Sequence, residues 1–456
     1  MLTMKVQTSR KVLLKLNPVI LLSTAVAALG GLLLGFDTAV IAGTTHGMTA
    51  AFALTPVTLG ITVSCALWGT VGGGLLASPL GERCGARNGL RWMAILYIVS
   101  ALGCALAWNW SSLLTFRLIG GLGIGGSSVL SPMYIADISP KQWRGRLVAC
   151  FQFTVVAGIL VAYASNTLVS GLHLHALEWR FELGAAALPA VLFFVALLLI
   201  PESPRWLVSR GRTEEAMSIL RRMGSDEHEA EVERMLAATL RSRTSDRHSL
   251  FTRDHRKVIL IALSIGVLNQ FSGINAILYY LNDIFAQAGF TAASANMQAV
   301  AIGIANLAFT VLAMFLIDTI GRRFLLLIGS MGTAVCLLAV AAIFATGQHR
   351  SALLWVLVVY IAFFAISQGT VIWVYLSEIF PPGIREKGQS LGTLALWGTN
   401  GLVAAVYPKI ASVAGQYPFI FFSVMMLGQF FLTLFIFPET KGLSLETSSE
   451  ALILEN

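Results

Sequence analysis

A chain of 456 residues that is 56% apolar and only 12% charged cannot coat itself for water, since soluble domains carry roughly twice that share of charge. A soluble multi-domain enzyme is thereby excluded. The net charge of +8, from 31 basic and 23 acidic residues, leaves nucleic-acid binding open until those charges are placed.

A helix needs about 20 apolar residues to cross a hydrocarbon core about 30 Å thick. Twelve runs qualify, at 18–43, 57–80, 91–109, 111–133, 147–171, 182–200, 258–287, 295–317, 323–346, 352–380, 387–412 and 417–437. The first follows Lys5, Arg10, Lys11 and Lys15. It is too long for a signal peptide, lacks a convincing cleavage site and holds an internal aspartate. After run six comes the one long polar segment, 201–257, with apolar residues at helical spacing in 213–223 and 229–240. It predicts short amphipathic helices at the cytoplasmic surface. The expected order is a cytoplasmic tail (1–17), a six-helix bundle (18–200), a linker (201–257), a second bundle (258–437) and a cytoplasmic tail (438–456). The fold class is therefore an all-α membrane protein in two six-helix halves.

The basic residues test this topology. With both termini inside, 27 of the 31 fall in cytoplasmic segments. That is the positive-inside pattern, and it removes the support for nucleic-acid binding. The five cysteines are scattered through apolar runs, and His173 and His175 have no further ligand nearby in sequence. Neither a disulfide framework, a metal nor a cofactor is expected. The polar segment lacks a phosphate-cradling loop or a nucleophile–base signature, so an enzyme is not expected and transport must be secondary.

The halves repeat each other. Glu82-Arg83-x-Gly85 matches Asp318-x-x-Gly321-Arg322-Arg323 at an offset of 236. Asp137 and Arg144 match Glu378 and Arg385 at 241, and Pro201-Glu202-Ser203 matches Pro438-Glu439-Thr440 at 237. Parallel repeats suit a transporter with its site at the repeat interface. Glu82, Arg83, Asp137, Arg144, Glu202, Arg205, Asp318, Arg322, Arg323, Glu378, Arg385 and Glu439 lie at the cytoplasmic ends. They are expected to form breakable bridges that hold the halves together when the inner mouth is closed. Simple topology anchors are the alternative.

Charges inside spans read as functional, because each costs about 2.5–3.5 kcal/mol or more. Asp37 and Arg117 each lie six residues from the outer edge of their run, a depth of about 9 Å. They are expected to pair, with Asp37 as proton acceptor and Arg117 tuning it; a static ion pair is the alternative. A sugar needs groups that both donate and accept hydrogen bonds, and flat faces for its ring. The amides in spans are Gln152, Asn269, Gln270, Asn275, Asn306 and Asn400, with Trp373 and Trp397 as platforms. Tyr279 and Tyr280 are expected at an outer gate, and Gln368 is a weaker addition to the cavity. Helix–helix hydrogen bonding explains any single amide equally well.

Several segments carry a resemblance. They are Gly30–Ile41 (GGLLLGFDTAVI), Ser131–Pro140 (SPMYIADISP), Arg144-Gly145-Arg146, and Pro201–Leu207 (PESPRWL). Gln270–Asn275 (QFSGIN), Trp373–Pro381 (WVYLSEIFP) and Pro438–Gly442 (PETKG) complete the set. Together, from about 28 to 446, they resemble the sugar porter family of the major facilitator superfamily. The resemblance implies twelve helices, alternating access and a monosaccharide-like substrate. It also implies a proton acceptor at Asp37, where uniporters often carry a neutral residue. Gln152, Gln270, Asn275, Asn306, Trp373, Trp397 and Asn400 match family substrate positions. The sequence departs from the family pattern at Asn269, Leu396, Leu34 and Ala86. Gly369-Thr370 stands where Gly-Pro is usual, and Ala186 where some xylose-type symporters have Glu, with Glu182 nearby. The expected function is proton-driven monosaccharide symport by a monomer in a bacterial inner membrane. A facilitative uniporter, a polyol transporter and a non-transporting sensor are the alternatives.

Overall fold

The computed structural model describes residues 17–140, 142–224, 229–230, 232–237, 250–252, 255–380 and 384–439, without the side chains of 318, 319, 377, 385 and 386. The first half comprises α1 (Pro18–Phe52), α2 (Pro56–Cys84), α3 (Ala86–Ala105), α4 (Trp110–Ile138), α5 (Arg144–Ser170), α6 (Glu178–Ala185) and α7 (Ala187–Ala196). The linker supplies α8 (Pro204–Ser209) and α9 (Thr213–Arg222). The second half comprises α10 (Arg256–Phe271), α11 (Ile274–Tyr279), α12 (Leu281–Gln287), α13 (Ala292–Ile320) and α14 (Arg322–Thr346). It ends with α15 (Leu353–Ile366), α16 (Gln368–Glu378), α17 (Arg385–Val413) and α18 (Tyr417–Phe435). Among the described residues, eleven stretches are long and apolar enough to cross a membrane. The 29-residue α17 is the more polar twelfth.

Local chemistry starts and interrupts these helices. Asn17 accepts a hydrogen bond from the Val19 N–H at 2.8 Å, with Pro18 in the first turn. That satisfies an otherwise orphaned donor at the α1 terminus. The same side chain donates to the Arg222 carbonyl at 2.9 Å, tying α9 to the start of α1. Hydropathy ends run one at 43, but α1 continues to Phe52. Its polar last turns stay helical because hydroxyls fold back on the backbone, as Thr44 does onto Ile41 at 2.9 Å. The seventh span breaks at Gly273, in left-handed backbone, and again at Tyr280. The tenth breaks at Ser367 (φ −121°, ψ −96°) with no proline present. There Ser367 donates to the Phe363 carbonyl and Thr370 to that of Ala365 at 2.9 Å. The hydroxyls satisfy carbonyls that the interrupted ladder leaves free, so Gly369-Thr370 keeps the break.

Packing shows how the halves meet. α1 lies on α5, and α2 on α4; α14 lies on α18, and α10 on α17. Across the halves, α2 meets α17 and α5 meets α13. Among the described residues, hydrogen bonds cross between them from Thr45 to Asp283 at 3.1 Å, from Tyr163 to the Leu278 carbonyl at 2.9 Å, and from Thr167 to the Asn296 carbonyl at 3.5 Å. All three lie away from α8 and α9, on what is called here the far face. The buried core runs unbroken from the first half into the far part of the second. A separate apolar cluster, around Val258, Leu326, Tyr375 and Phe380, fills the linker-side part of the second half. The far face is closed, and toward the linker the halves keep separate cores.

Candidate functional site

A cleft between the halves joins side chains from α1, α2, α4, α11 and α17. Its void, counted out to its open mouth, is about 320 Å³. Asp37 and Arg117 both line it, with Thr38, Tyr279 and Trp397. The expected ion pair does not form: no bridge within 4.0 Å joins the two among the described residues. Arg117 is only 4% exposed, and its Nε donates instead to the Thr62 carbonyl of α2 at 3.1 Å. Asp37 is fifteen residues from the far end of α1, whereas Arg117 is seven from the start of α4. Both side chains nevertheless line the same cleft. Asp37 therefore sits in a cleft made positive by Arg117, with no donor clamped to it among the described residues.

The amides of the second half bond to one another beyond this lining, and Asn400 reaches it through Tyr279. Asn269 donates to the Gln368 carbonyl at 3.3 Å, Gln270 to Asn269 Oδ1 at 3.3 Å, and Asn275 to Gln270 Oε1 at 2.8 Å. On an unbroken helix, residues five apart point about 140° away from each other. The break at Gly273 lets the Gln270 and Asn275 amides touch. Asn400 donates to the Tyr279 hydroxyl at 2.9 Å. Asn400 Oδ1 and Gln368 Oε1 are buried acceptors without a donor, and such groups favour a ligand that brings hydroxyls. Gln152 is half-buried on α5, and Asn306 is buried on α13. Trp397 lines the cleft, whereas Trp373 is 42% exposed and stands outside this lining. The tyrosines split. Tyr279 faces the cleft, while Tyr280 donates to the Ala404 carbonyl at 2.9 Å and stacks on Tyr407 at 5.0 Å. Tyr280 is thereby tied into its own half rather than poised over the cleft.

Among the described residues, the charged groups at the cytoplasmic ends make contacts within one half each; bridges between the halves are expected only when the inner mouth is closed. Glu202 accepts the Arg87 and Ser203 N–H groups, both at 3.1 Å, and lies 3.6 Å from the Arg87 guanidinium. Glu439 accepts the Arg322 and Arg323 N–H groups, both at 3.0 Å. Each carboxylate thus caps a helix N-terminus, α3 or α14, where the helix dipole favours an anion. Asp137 accepts from Ser203 at 2.7 Å and lies 3.7 Å from Arg205. Arg322 holds Glu378 through two contacts at 3.0 and 3.3 Å. Arg144 turns to the Ala136 carbonyl at 3.0 Å, and Arg323 to those of Thr433 and Leu434. Glu82 and Arg83 are exposed and contribute carbonyls, which accept from Arg210. The side chains of Asp318 and Arg385 lie outside the described residues. Sequence spacing identified the charged positions but not their partners, because capping consumes the carboxylates locally. Burial pushes the Glu202 carboxyl above its usual range, against the Arg87 and Ser203 amides that favour the anion.

Two tyrosines were missed. Tyr134 donates to the Pro201 carbonyl at 2.6 Å, and Tyr375 to that of Pro438 at 3.0 Å. They share the offset of 241 with Asp137 and Glu378, so the repeat itself carried the signal. The capping motif also needs Gly85 (φ 86°) and Gly321 (φ 106°), since a Cβ there would lie 2.7 and 2.9 Å from the carboxylates of Glu202 and Glu439. Removing the cap orphans two amides, at about 1–3 kcal/mol each where they are buried. Glu439→Ala is therefore expected to lower the thermal midpoint of the purified protein by several degrees. An unchanged midpoint would count against the capping role.

The family description Sugar (and other) transporter matches residues 23–452. The chain belongs to the sugar transporter family. Among curated members, it is 36% identical to the probable metabolite transport protein CsbC of Bacillus subtilis (strain 168), covering 92% of this chain and 91% of that one. It is 35% identical to the D-xylose-proton symporter of Escherichia coli (strain K12), covering 93% and 94%. Among solved structures of the family, the inward open conformation of the xylose transporter XylE from E. coli superposes with a TM-score of 0.85. That match has 33% identity and covers 95% of this chain and 99% of that one.

Proposed function

We propose that this chain is a proton-coupled monosaccharide symporter working by alternating access. One observation carries the reading: an inter-half cleft holds an unclamped carboxyl, Asp37, with a buried cation, an indole face and the Tyr279 hydroxyl to which Asn400 donates. A proton and a polyhydroxyl solute can both bind there, and both leave when the halves rock about the cleft. The relative named as a D-xylose-proton symporter supports this class of cargo. The distribution of basic residues supports a bacterial inner-membrane protein with both termini in the cytoplasm, so the closed far face is periplasmic. The transport unit is one chain, because both walls of the cleft come from it.

Proteoliposome uptake of labelled xylose, glucose, galactose, arabinose and a polyol tests the proposal. An inward-directed proton gradient is expected to drive accumulation of at least one sugar, and a protonophore to collapse it. Saturable uptake that ignores the gradient would favour a facilitative uniporter instead. The amides should set affinity. Asn400→Ala removes a buried donor and acceptor and leaves the Tyr279 hydroxyl without its partner. A lost hydrogen bond of about 1–2 kcal/mol predicts a KM raised roughly 5- to 30-fold. A KM unchanged in Asn400→Ala would place sugar binding elsewhere.

A further inference from the structure

The far-face closure contains an acid that the transport cleft does not use. Asp283 sits on α12, in the second half. Its Oδ1 accepts from Thr45 of α1, in the first half, at 3.1 Å. Its Oδ2 is buried and has no hydrogen-bond partner. The adjacent Asn282 donates to Asn296 Oδ1 at 2.6 Å, and the Asn296 carbonyl accepts from Thr167 of α5. Thus α12 and the start of α13 meet the first half at two points, and one of them is ionisable. We propose that Asp283 is a second proton-linked group of the transporter, and that a proton bound there favours closure of the far face.

The physical ground is a difference between two states. Thr45 and Asp283 belong to opposite halves, so opening the far face separates them and returns the carboxyl to water. Closing it strips that water and leaves one oxygen with a single hydroxyl donor and the other with none. A neutral carboxyl tolerates such burial far better than a carboxylate. By linkage, if closure favours the proton, the proton favours closure to the same degree. The other titratable groups facing Asp283 are His46 on α1, Tyr280 beside it and Tyr407 on α17. The tyrosines stay neutral at physiological pH. A protonated His46 would act in the opposite sense, by favouring the carboxylate. The proposal deepens the symport reading, since an acidic periplasm would then promote occlusion as well as load the cleft.

The test needs no sugar. Spin labels at the exposed far-end positions 172 and 348, in a background without native cysteines, report the separation of the halves in nanodiscs from pH 8 to pH 5. The unsubstituted protein and His46→Gln are expected to shift toward the short, closed distance as pH falls. Asp283→Asn, a neutral mimic, should remain closed with that shift lost. Thr45→Val removes the carboxylate's one donor and should enlarge the shift. A shift that persists in Asp283→Asn, or that shrinks in Thr45→Val, overturns the proposal. Running the series in an Asp37→Asn background removes the cleft acid from the comparison. If symport itself were wrong, gradient-driven uptake would fail while this sugar-free distance change would still be read.

Discussion

Asp37→Asn should abolish uphill sugar accumulation while leaving exchange of labelled for unlabelled sugar close to the normal rate. The asparagine has the shape and neutrality of a protonated aspartate, so the sugar-loaded carrier can still alternate. What it loses is the charged form that must wait for a proton. With one proton per sugar, each pH unit of gradient supplies about 1.4 kcal/mol, a tenfold accumulation. A two-unit gradient could therefore sustain a ratio of ~100 in the unsubstituted protein and ~1 in the variant. Arg117 makes the case sharper. It is held by the Thr62 carbonyl rather than by Asp37, so it acts on the carboxyl through the field of the cleft rather than as a fixed ion-pair partner. Neutralising Asp37 should then leave the Arg117 anchor in place and the fold intact. Accumulation above unity by a folded Asp37→Asn protein would remove Asp37 from the coupling mechanism.

The sequence was most legible where one physical quantity dominates. Burial of apolar residues in a bilayer fixes the spans, and the duplicated Pro-Glu segments mark the two halves. It was least legible where polar groups have several possible partners. Glu202 and Glu439 read as gate bridges or as topology anchors, and only the backbone shows that they sit on the N-termini of α3 and α14. Thr44 and Thr45 read as the end of a span, because hydropathy does not register hydroxyls that bond back to their own helix. The contact between Gln270 and Asn275 depends on a break at Gly273 that helical periodicity cannot express. Asp283 drew no attention as a polar residue near a span end, because its meaning comes from Thr45, which lies 238 positions away.

Gly35→Val and Gly158→Val are expected to be among the most damaging single substitutions outside the polar sites. At Gly35 an added Cβ would lie 1.8 Å from the Val155 carbonyl oxygen, and at Gly158 it would lie 2.2 Å from that of Leu32. The relation is reciprocal: each helix offers a hydrogen atom where the other offers a carbonyl, so the α1 and α5 backbones touch. In lipid, helices gain little by hiding apolar surface from one another, and close packing carries the association. Any side chain here must push α1 away from α5 along their contact, and overpacking costs about 1–3 kcal/mol even where a core can yield. These obstacles are backbone atoms, which cannot rotate aside. Gly428, on α18, is the control, because its Cβ would meet nothing within 4 Å. Gly428→Ala should therefore be neutral or gain about 0.5–1 kcal/mol from helix propensity. Thermal midpoints and monodispersity in detergent separate the two cases. Equal behaviour of Gly35→Val and Gly428→Ala would mean that α1 and α5 can part freely. The consequence reaches transport, since Asp37 follows Gly35 by two residues on α1. The α1–α5 contact thus sets the position of the wall from which the carboxyl enters the cleft, and milder substitutions such as Gly35→Ala should impair coupling before they impair folding.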